Sequence, residues 1–291
     1  MTLPLRPAQF RPFAVGLNAP EGVVWDPDRE VLYAGGRHGE LYRVTLDGTV
    51  EQVAHFGPGS FVLGLALDSR GRIYACERGN GRLLRTDPDS FAFEPYTGGT
   101  ADRPLITPNY PVFGPDGTLY LSDSGTWEKD DGVLFRVLPG GETTVWLDSL
   151  CHFPNGLALA PDGSALYVAE SGTSAIWRVP IEARGSAGTP ERVWSRPRTF
   201  TDGIAFDAAG RLYASMYRPD AIYRIDVATG ESEVVSDDWT AQYLQAPTNI
   251  AFAGEDLSCL VTANLAGEHL NLYGGPLPAP GQPLHRPLIA P

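Results

Sequence analysis

The sequence predicts an all-β protein, a six-bladed β-propeller built from four-stranded antiparallel blades. The first observation is the stretch from Phe153 to Val179, in which three runs of alternating apolar residues are separated by glycine-bearing turns, the pattern of hairpin-linked strands. The second is that this pattern occurs six times along the chain, and the third is a more polar run between the copies. Repeats of about 40 to 50 residues with three or four strands are typical of propeller blades.

The six copies begin at Pro20, Val62, Pro108, Pro154, Thr201 and Thr248. One position near the start of each copy recurs at spacings of 42, 46, 46, 47 and 47 residues, and it is occupied by Glu21, Leu63, Asn109, Asn155, Asp202 and Asn249. We call these six the aligned residues. Each one opens the first strand of its copy, and first strands line the central channel of a propeller. The aligned residues should therefore meet at one mouth of the channel.

A fourth strand is predicted between consecutive copies, where the runs are more polar, as outer edge strands should be. These runs cover residues 49–56, 91–96, 143–147, 191–195 and 231–236. The sixth copy ends at Tyr273 and is followed by a proline-rich tail, which is a poor strand former. We therefore expect the segment Gln9 to Val15 to pair with the last blade and close the ring, so that residues 1–291 form a single domain.

The amino-acid composition limits which binding partners and which cellular compartment we expect for this protein. The chain has 291 residues, of which 43% are hydrophobic, and a formal net charge of −13, so its acidic field should repel nucleic acids and anionic membranes. Its three cysteines do not suggest a disulfide framework and favour a reducing compartment. There is no signal-peptide core and no apolar run of about 18 residues. We expect a cytoplasmic protein that is a monomer or a weak homo-oligomer.

The aligned residues suggest a metal site, because all of them except Leu63 carry side-chain oxygens. Burying carboxylates and carboxamides together in a narrow tunnel destabilises the folded protein by on the order of several kcal/mol unless a cation compensates them. Ca²⁺, Mg²⁺ and Mn²⁺ accept both kinds of oxygen, whereas a soft-ligand zinc site would need Cys or His. A single Asn or Asp before Gly is more often a turn residue. However, Glu21, Asn155 and Asp202 each precede a glycine at the same phase of the repeat, which favours their role as ligands.

Other residues are candidates for substrate contact. Asn109 should point into the mouth, as a substrate contact or a further ligand, and Asn249 is left open between a ligand and a residue that bonds its local backbone. The loops after the second strands should surround the same mouth, which makes Trp127, Tyr217 and His38 candidate wall residues. No Ser-His-Asp order or G-x-S-x-G motif indicates a serine hydrolase.

Several stretches match a known family in order and in blade register. They are Pro20-Glu21-Gly22, Pro108-Asn109, Pro-Asn-Gly-Leu at 154–157, Thr-Asp-Gly-Ile-Ala-Phe at 201–206 and Arg-Leu-Tyr-Ala-Ser-Met-Tyr at 211–217. In these stretches the chain resembles the SMP-30/gluconolactonase/LRE family of six-bladed propeller lactonases, also called the regucalcin family. The resemblance covers roughly residues 20 to 273. Each motif alone is short, and their common order makes the resemblance specific.

The resemblance implies a divalent metal held by Glu21, Asn155 and Asp202, with Asn109 oriented toward the substrate and Asp202 also transferring a proton. It implies hydrolysis of a lactone or a similar ester. The family's sugar lactonases have an Arg two residues before the blade-three Asn and an Asp after it, where this chain has Thr107 and Tyr110. We expect substrate contacts from these two residues, and the sugar-hydroxyl contacts of that subgroup do not carry over.

Three functions remain open at this stage. The leading one is a metal-dependent hydrolase that opens a sugar-type or other small lactone or ester, with Ca²⁺ as the expected cation and Mg²⁺, Mn²⁺ or Zn²⁺ as alternatives. The second is a calcium-dependent hydrolase similar to phosphotriesterases and paraoxonases, for which Asn109 would be a fourth ligand. The third is a binding or scaffold propeller whose metal is structural.

Overall fold

The computed structural model describes residues 10–273 and 275–290, and it shows six four-stranded antiparallel sheets. The first blade contains β2 (Val23–Asp26), β3 (Val31–Gly35), β4 (Glu40–Thr45) and β5 (Val50–His55). The second contains β6 (Val62–Leu67), β7 (Ile73–Glu77), β8 (Arg82–Thr86) and β9 (Phe93–Thr97). The third contains β10 (Pro108–Phe113), β11 (Leu119–Asp123), β12 (Val133–Val137) and β13 (Thr143–Leu147).

The remaining blades repeat this order. The fourth contains β14 (Pro154–Leu159), β15 (Ala165–Glu170), β16 (Ala175–Pro180) and β17 (Glu191–Ser195). The fifth contains β18 (Phe200–Phe206), β19 (Arg211–Arg218), β20 (Ala221–Asp226) and β21 (Ser232–Asp237). The sixth contains β22 (Pro247–Ala253), β23 (Cys259–Asn264) and β24 (His269–Tyr273), and its fourth strand is β1 (Phe10–Val15).

The predicted six-bladed propeller and its closure are confirmed. Strand β1 pairs antiparallel with β24, from Phe10 opposite Tyr273 to Val15 opposite His269. Gln9, the first residue of the predicted closing segment, lies outside the described residues. The inner strands contact one another in sequence order, and β2 contacts β22, so the ring is complete. In the described part of the chain, no helix is long and apolar enough to span a membrane.

The core lies between adjacent blades. The repeated Leu-Tyr pair, assigned to the core from sequence, occurs on most second strands, with Ile-Tyr in the second blade, and several of these tyrosine rings pack edge-on against the next blade. Tyr74 lies 4.9 Å from Phe113, and Tyr213 lies 5.3 Å from Phe252, measured between ring centroids. Such aromatic pairs add about 0.5–1.5 kcal/mol beyond their buried area, so each blade stabilises its neighbour.

Most inner strands begin with a bulge at the aligned residue. In the fourth blade the ladder passes from Pro154 opposite Glu170 to Leu157 opposite Val168 and leaves Asn155 unpaired. The same break occurs around Asp202 in the fifth blade, and around Leu63, Asn109 and Asn249. Because a bulge re-aims the side chains of its strand, the aligned residues can face the channel mouth instead of following the alternation of the sheet.

The glycine after an aligned residue allows neighbouring inner strands to approach closely. A Cβ added at Gly156 would lie 2.3 Å from the carbonyl oxygen of Asp202, in the next blade. A Cβ added at Gly203 would lie 2.6 Å from the carbonyl oxygen of Thr248. These distances are far inside van der Waals contact, so the Asn-Gly and Asp-Gly pairs mark contacts between blades.

Replacing Gly156 by Ala is expected to destabilise the ring by about 1–3 kcal/mol, because the new methyl group overlaps backbone that cannot move independently. Chemical denaturation followed by tryptophan fluorescence measures the change. The matched control is Gly98→Ala, since a Cβ at Gly98 meets nothing within 4 Å. Equal unfolding midpoints for the two variants would contradict this explanation.

The proline-rich tail crosses the face of the ring opposite the mouth. The Gln282 N–H donates to the carbonyl of Phe206, and Arg72 Nη2 donates to the carbonyl of Ile289 at 2.6 Å. The Ile289 side chain is buried against the second and third blades. The proline-rich tail therefore links the fifth blade to the second and third blades without adding a strand.

Candidate active site

The aligned residues converge on a cavity of about 420 Å³ at one mouth of the channel. Its floor is formed by five of them, Glu21, Leu63, Asn109, Asn155 and Asp202. Its walls come from the surrounding loops and strand ends, Phe61, Arg78, Thr107, Trp127, Phe153, Ser171, Phe200, Tyr217 and Leu265. The structure thus brings together seven of the nine residues that the sequence predicted for the site.

The other two predicted residues, Tyr110 and His38, do not line this cavity. Tyr110 faces a second cavity of about 400 Å³ further along the channel, which the tail also lines. His38 is held in the first blade, where its Nδ1 lies 2.6 Å from Asn18 Nδ2 and its backbone N–H donates to Glu40. Tyr110 occupies the place taken by glycine in four of the repeats.

The side-chain amide of Asn109 is oriented by Ser124. The Ser124 hydroxyl donates to the carbonyl of Pro154 at 2.6 Å, so its proton is committed and the oxygen can only accept from Asn109. Asn109 Nδ2 donates to that oxygen at 2.9 Å. The amide oxygen of Asn109 is then turned away from the serine and has no hydrogen-bond partner among the described residues.

Asn155 is oriented in the same way by Ser171. The Ser171 hydroxyl donates to the carbonyl of Thr201 at 2.5 Å, and Asn155 Nδ2 donates to Ser171 Oγ at 3.3 Å. The amide oxygen of Asn155 is buried and unpaired within the described structure. The serine therefore fixes which end of the amide faces the cavity, and it joins the fourth blade to the fifth.

These two serines were missed by sequence reasoning, although a signal for them exists. Each follows the carboxylate that ends a second strand, in Asp123-Ser124-Gly125 and in Glu170-Ser171-Gly172, at the same phase of neighbouring repeats. The carboxylates themselves hold loops. Asp123 accepts the backbone N–H groups of Ile106 and Thr107, which places Thr107 at the cavity wall.

The two carboxylates of the floor are buried, and no basic side chain of residues 10–273 or 275–290 forms an ion pair with them. Glu21 is 4% exposed and Asp202 is 6% exposed. Burial, reinforced by the charge of Asp202, raises the pKa of Glu21 well above its ordinary value, with Arg78 opposing the shift. Burial also raises the pKa of Asp202 to about 7, against the effect of hydrogen bonds from Asn155 and the Gly203 N–H. Two such groups remain ionised together only if positive charge is supplied.

The unpaired oxygens fit a hard cation. Four of the aligned residues have a buried side-chain oxygen without a partner in the described part of the molecule, Oδ1 of Asn109, Asn155, Asp202 and Asn249. Asn249 also lies beside Glu21, with 3.5 Å between its Nδ2 and Glu21 Oε2. An unpaired buried polar atom costs about 1–3 kcal/mol, and an oxygen-only donor set is the one that Ca²⁺ and related ions prefer. No cluster of three His, Cys, Asp or Glu is found over residues 10–273 and 275–290, so amides must complete any coordination sphere.

The family can now be assigned. A model of the SMP-30/Gluconolactonase/LRE-like region matches residues 19–264, and these residues include all six aligned positions. The chain belongs to this family. The predicted resemblance is therefore confirmed, and the oxygen cluster lies within the part of the chain that this SMP-30/gluconolactonase family shares.

Several proteins similar to this chain are named as lactonases. The chain is 25% identical to Lactonase drp35 of Staphylococcus haemolyticus over 68% of its own length and 63% of that protein, so it spans less than two thirds of this relative. It is 26% identical to the 6-deoxy-6-sulfogluconolactonase of Pseudomonas putida, over 81% of this chain and 80% of the relative. A solved gluconolactonase structure from Xanthomonas campestris superposes with a TM-score of 0.77 at 22% identity, covering 92% of this chain and 89% of that one, which shows the shared fold.

Replacing Ser171 by Ala is expected to lower the free energy of unfolding by about 1–3 kcal/mol, because the buried Asn155 amide and the Thr201 carbonyl both lose a partner. Denaturant titration measures the difference. Ser164→Ala serves as the control, since Ser164 is an exposed serine in a turn of the same blade. A Ser171→Ala protein as stable as the control would show that the hydroxyl does not hold the amide.

Proposed function

We propose that this protein hydrolyses a lactone or a closely related small ester at the channel mouth, with the help of one divalent cation. The observation that carries the proposal is the convergence of unpaired, buried oxygens from separate blades around Glu21 and Asp202. Membership of the family and the names of its relatives support lactone hydrolysis.

Glu21, Asn155 and Asp202 would hold the cation, since they supply two carboxylates and one oriented amide oxygen. Ca²⁺ is the expected ion, because it tolerates neutral amide oxygens and irregular coordination, and Mg²⁺, Mn²⁺ or Zn²⁺ are alternatives. A divalent cation bound there supplies Lewis-acid stabilisation for negative charge on the carbonyl oxygen of the substrate. The Asn109 oxygen, fixed by Ser124, is available to the substrate or as a further ligand.

Asp202 would move the proton. Its Oδ1 is unpaired and faces the cavity, so it can accept a proton from the water that attacks the carbonyl carbon. As the bond between the carbonyl carbon and the ring oxygen breaks, the same proton passes to that oxygen, and the product is the open hydroxy acid. The aromatic side chains of the walls limit access of other water to the carbonyl.

A second candidate is a calcium-dependent hydrolase of the phosphotriesterase or paraoxonase type. The observation that favours it is the oxygen of Asn109, which is unpaired and lines the same cavity as Glu21, Asn155 and Asp202, so it could be a fourth ligand. Aryl phosphotriesters and lactones assayed side by side separate the two candidates. Faster turnover of the phosphotriester would favour the second.

Asp202→Asn is expected to lower kcat for lactone opening at least about a hundredfold, because the amide cannot accept the proton and also weakens the cation site. The assay follows acid release from a panel of small lactones at constant pH. Asp162→Asn is the matched control, since Asp162 is an exposed aspartate in a turn of the fourth blade. Full turnover by the Asp202→Asn protein would overturn the assignment.

Chelation with EDTA is expected to abolish lactone turnover and lower the melting temperature, because a bound ion stabilises only the folded ring. Adding back Ca²⁺, Mg²⁺, Mn²⁺ or Zn²⁺ separately then identifies the ion that restores both. If chelation lowers the melting temperature of a protein that turns over no lactone or phosphotriester, the metal is structural and the protein is a scaffold.

A further inference from the structure

One wall of the cavity carries an arginine without a counter-ion. Arg78 lies in the loop after β7, and its guanidinium makes no hydrogen bond or ion pair with any described residue. Its Cζ lies 5.9 Å from the centre of the Phe61 ring. Arg82, at the other end of the same loop, is bound by the buried carboxylate of Glu77 at 2.8 Å. The loop therefore neutralises one arginine and leaves the other facing the cavity.

Arg78 is exposed at the cavity wall, and with no partner for its guanidinium among the described residues it is available to bind a negative group. It is close enough to Glu21 to favour that residue's ionised form, yet no contact joins them within ion-pair distance. A cation held by Glu21 and Asp202 would offset their charge and repel the guanidinium. Glu21 and Asp202 are the only acidic residues among the described residues that line the cavity, so a further negative group there would have to come from a bound molecule, and a guanidinium fork matches a carboxylate in two-point contact.

Much of the remaining wall is aromatic. Trp127 is 48% exposed and Phe200 is 38% exposed, and their ring centroids are 5.5 Å apart. Phe153 extends this surface, with its ring 4.8 Å from Trp127. Exposed aromatic side chains in mutual contact form a surface suited to an apolar ring or chain. A sugar lactone would instead need a polar partner for each hydroxyl group.

We propose that the substrate is a lactone that carries an apolar, preferably aromatic, substituent and a carboxylate, with Arg78 as the carboxylate-binding residue. The substituent packs against Trp127, Phe153 and Phe200, and the carboxylate lies over Phe61 at the guanidinium of Arg78. The reaction rests on the lactone hydrolysis proposed above, whereas recognition of the carboxylate is a binding property that can be measured without turnover.

The binding test uses two probes that differ only in charge, 3-phenylpropanoate and 3-phenylpropanamide, titrated calorimetrically into the calcium-loaded full-length protein. The carboxylate should bind about tenfold more tightly than the amide, as expected for a charge-assisted contact. Arg78→Gln should remove this preference, and Trp127→Ala should weaken both probes. Arg37→Gln is the matched control, because Arg37 lies over the same Phe61 ring at 5.7 Å but does not line the cavity.

A carboxylate preference that survives in Arg78→Gln would overturn the proposal, because the probe would then be bound by the cation or by another group. No preference in the parent protein would overturn it as well. If Arg78→Gln and Arg37→Gln both lose the preference for the carboxylate probe, the preference comes from the overall positive charge around the cavity. This result would also count against Arg78 as the specific carboxylate-binding residue.

The kinetic test compares γ-(4-carboxyphenyl)-γ-butyrolactone with its methyl ester. Arg78→Gln should lower kcat/KM for the acid at least about tenfold and leave the ester unchanged. An equal loss on both substrates would place Arg78 at the reacting carbonyl and overturn the proposal. If the parent protein opens other small lactones but neither of these two, the proposed substrate is overturned while the hydrolysis stands; if it opens no lactone at all, the hydrolysis fails, and the calorimetric comparison still decides whether Arg78 binds carboxylates.

Discussion

The close contact between neighbouring inner strands is the constraint on which the rest of this structure depends. At Gly156 and Gly203 the backbone of one blade touches the backbone of the next with no room for a side chain. Such an approach draws the strand openings toward the axis, and the bulges at the same positions turn Asn155 and Asp202 into the channel. A wider ring would separate these side chains beyond the reach of a single ion.

Two serines at the contacts between blades orient the amide groups of the site. Ser124 and Ser171 each donate to a carbonyl of the following blade, so each can only accept from the asparagine beside it. The same two hydrogen bonds therefore hold adjacent blades together and decide that an amide oxygen, not an amide nitrogen, faces the cavity. These hydroxyl groups thus hold the blades together and orient the amides of the candidate site, because that site lies where neighbouring blades meet.

The fold and the floor of the site could be predicted from the sequence because both depend on local patterns that repeat in each blade. The phase of Glu21, Asn155 and Asp202 within the repeat was enough to bring them together. Residues whose roles depend on contacts between blades were not predictable in this way. His38 shares its loop position with true wall residues, yet Asn18 and Glu40 hold it elsewhere.

Arg78 illustrates the other kind of residue that was missed, since a lone arginine in a loop has no distinctive pattern. Arg78 becomes a candidate binding residue only when the structure shows that the nearby carboxylate of Glu77 binds Arg82 and not Arg78. Similarly, the sequence gives no sign that Phe153 and Phe200 differ from other apolar residues near the start of a blade. Only the fold shows that their rings pack against Trp127.

The buried carboxylates of the opposite face explain why the unpaired mouth is significant. Asp68 and Asp207 are fully buried there, and each is bound by an arginine, Arg72 at 2.7 Å and Arg224 at 3.0 Å. On this face, two buried carboxylates that hold turns of the fold are thus paired with arginines. At the mouth, Glu21 and Asp202 receive no such partner among the described residues, although Arg78 lies on the same cavity wall. Because leaving buried carboxylates uncompensated is destabilising, this difference between the two faces supports the proposal that a cation binds at the mouth.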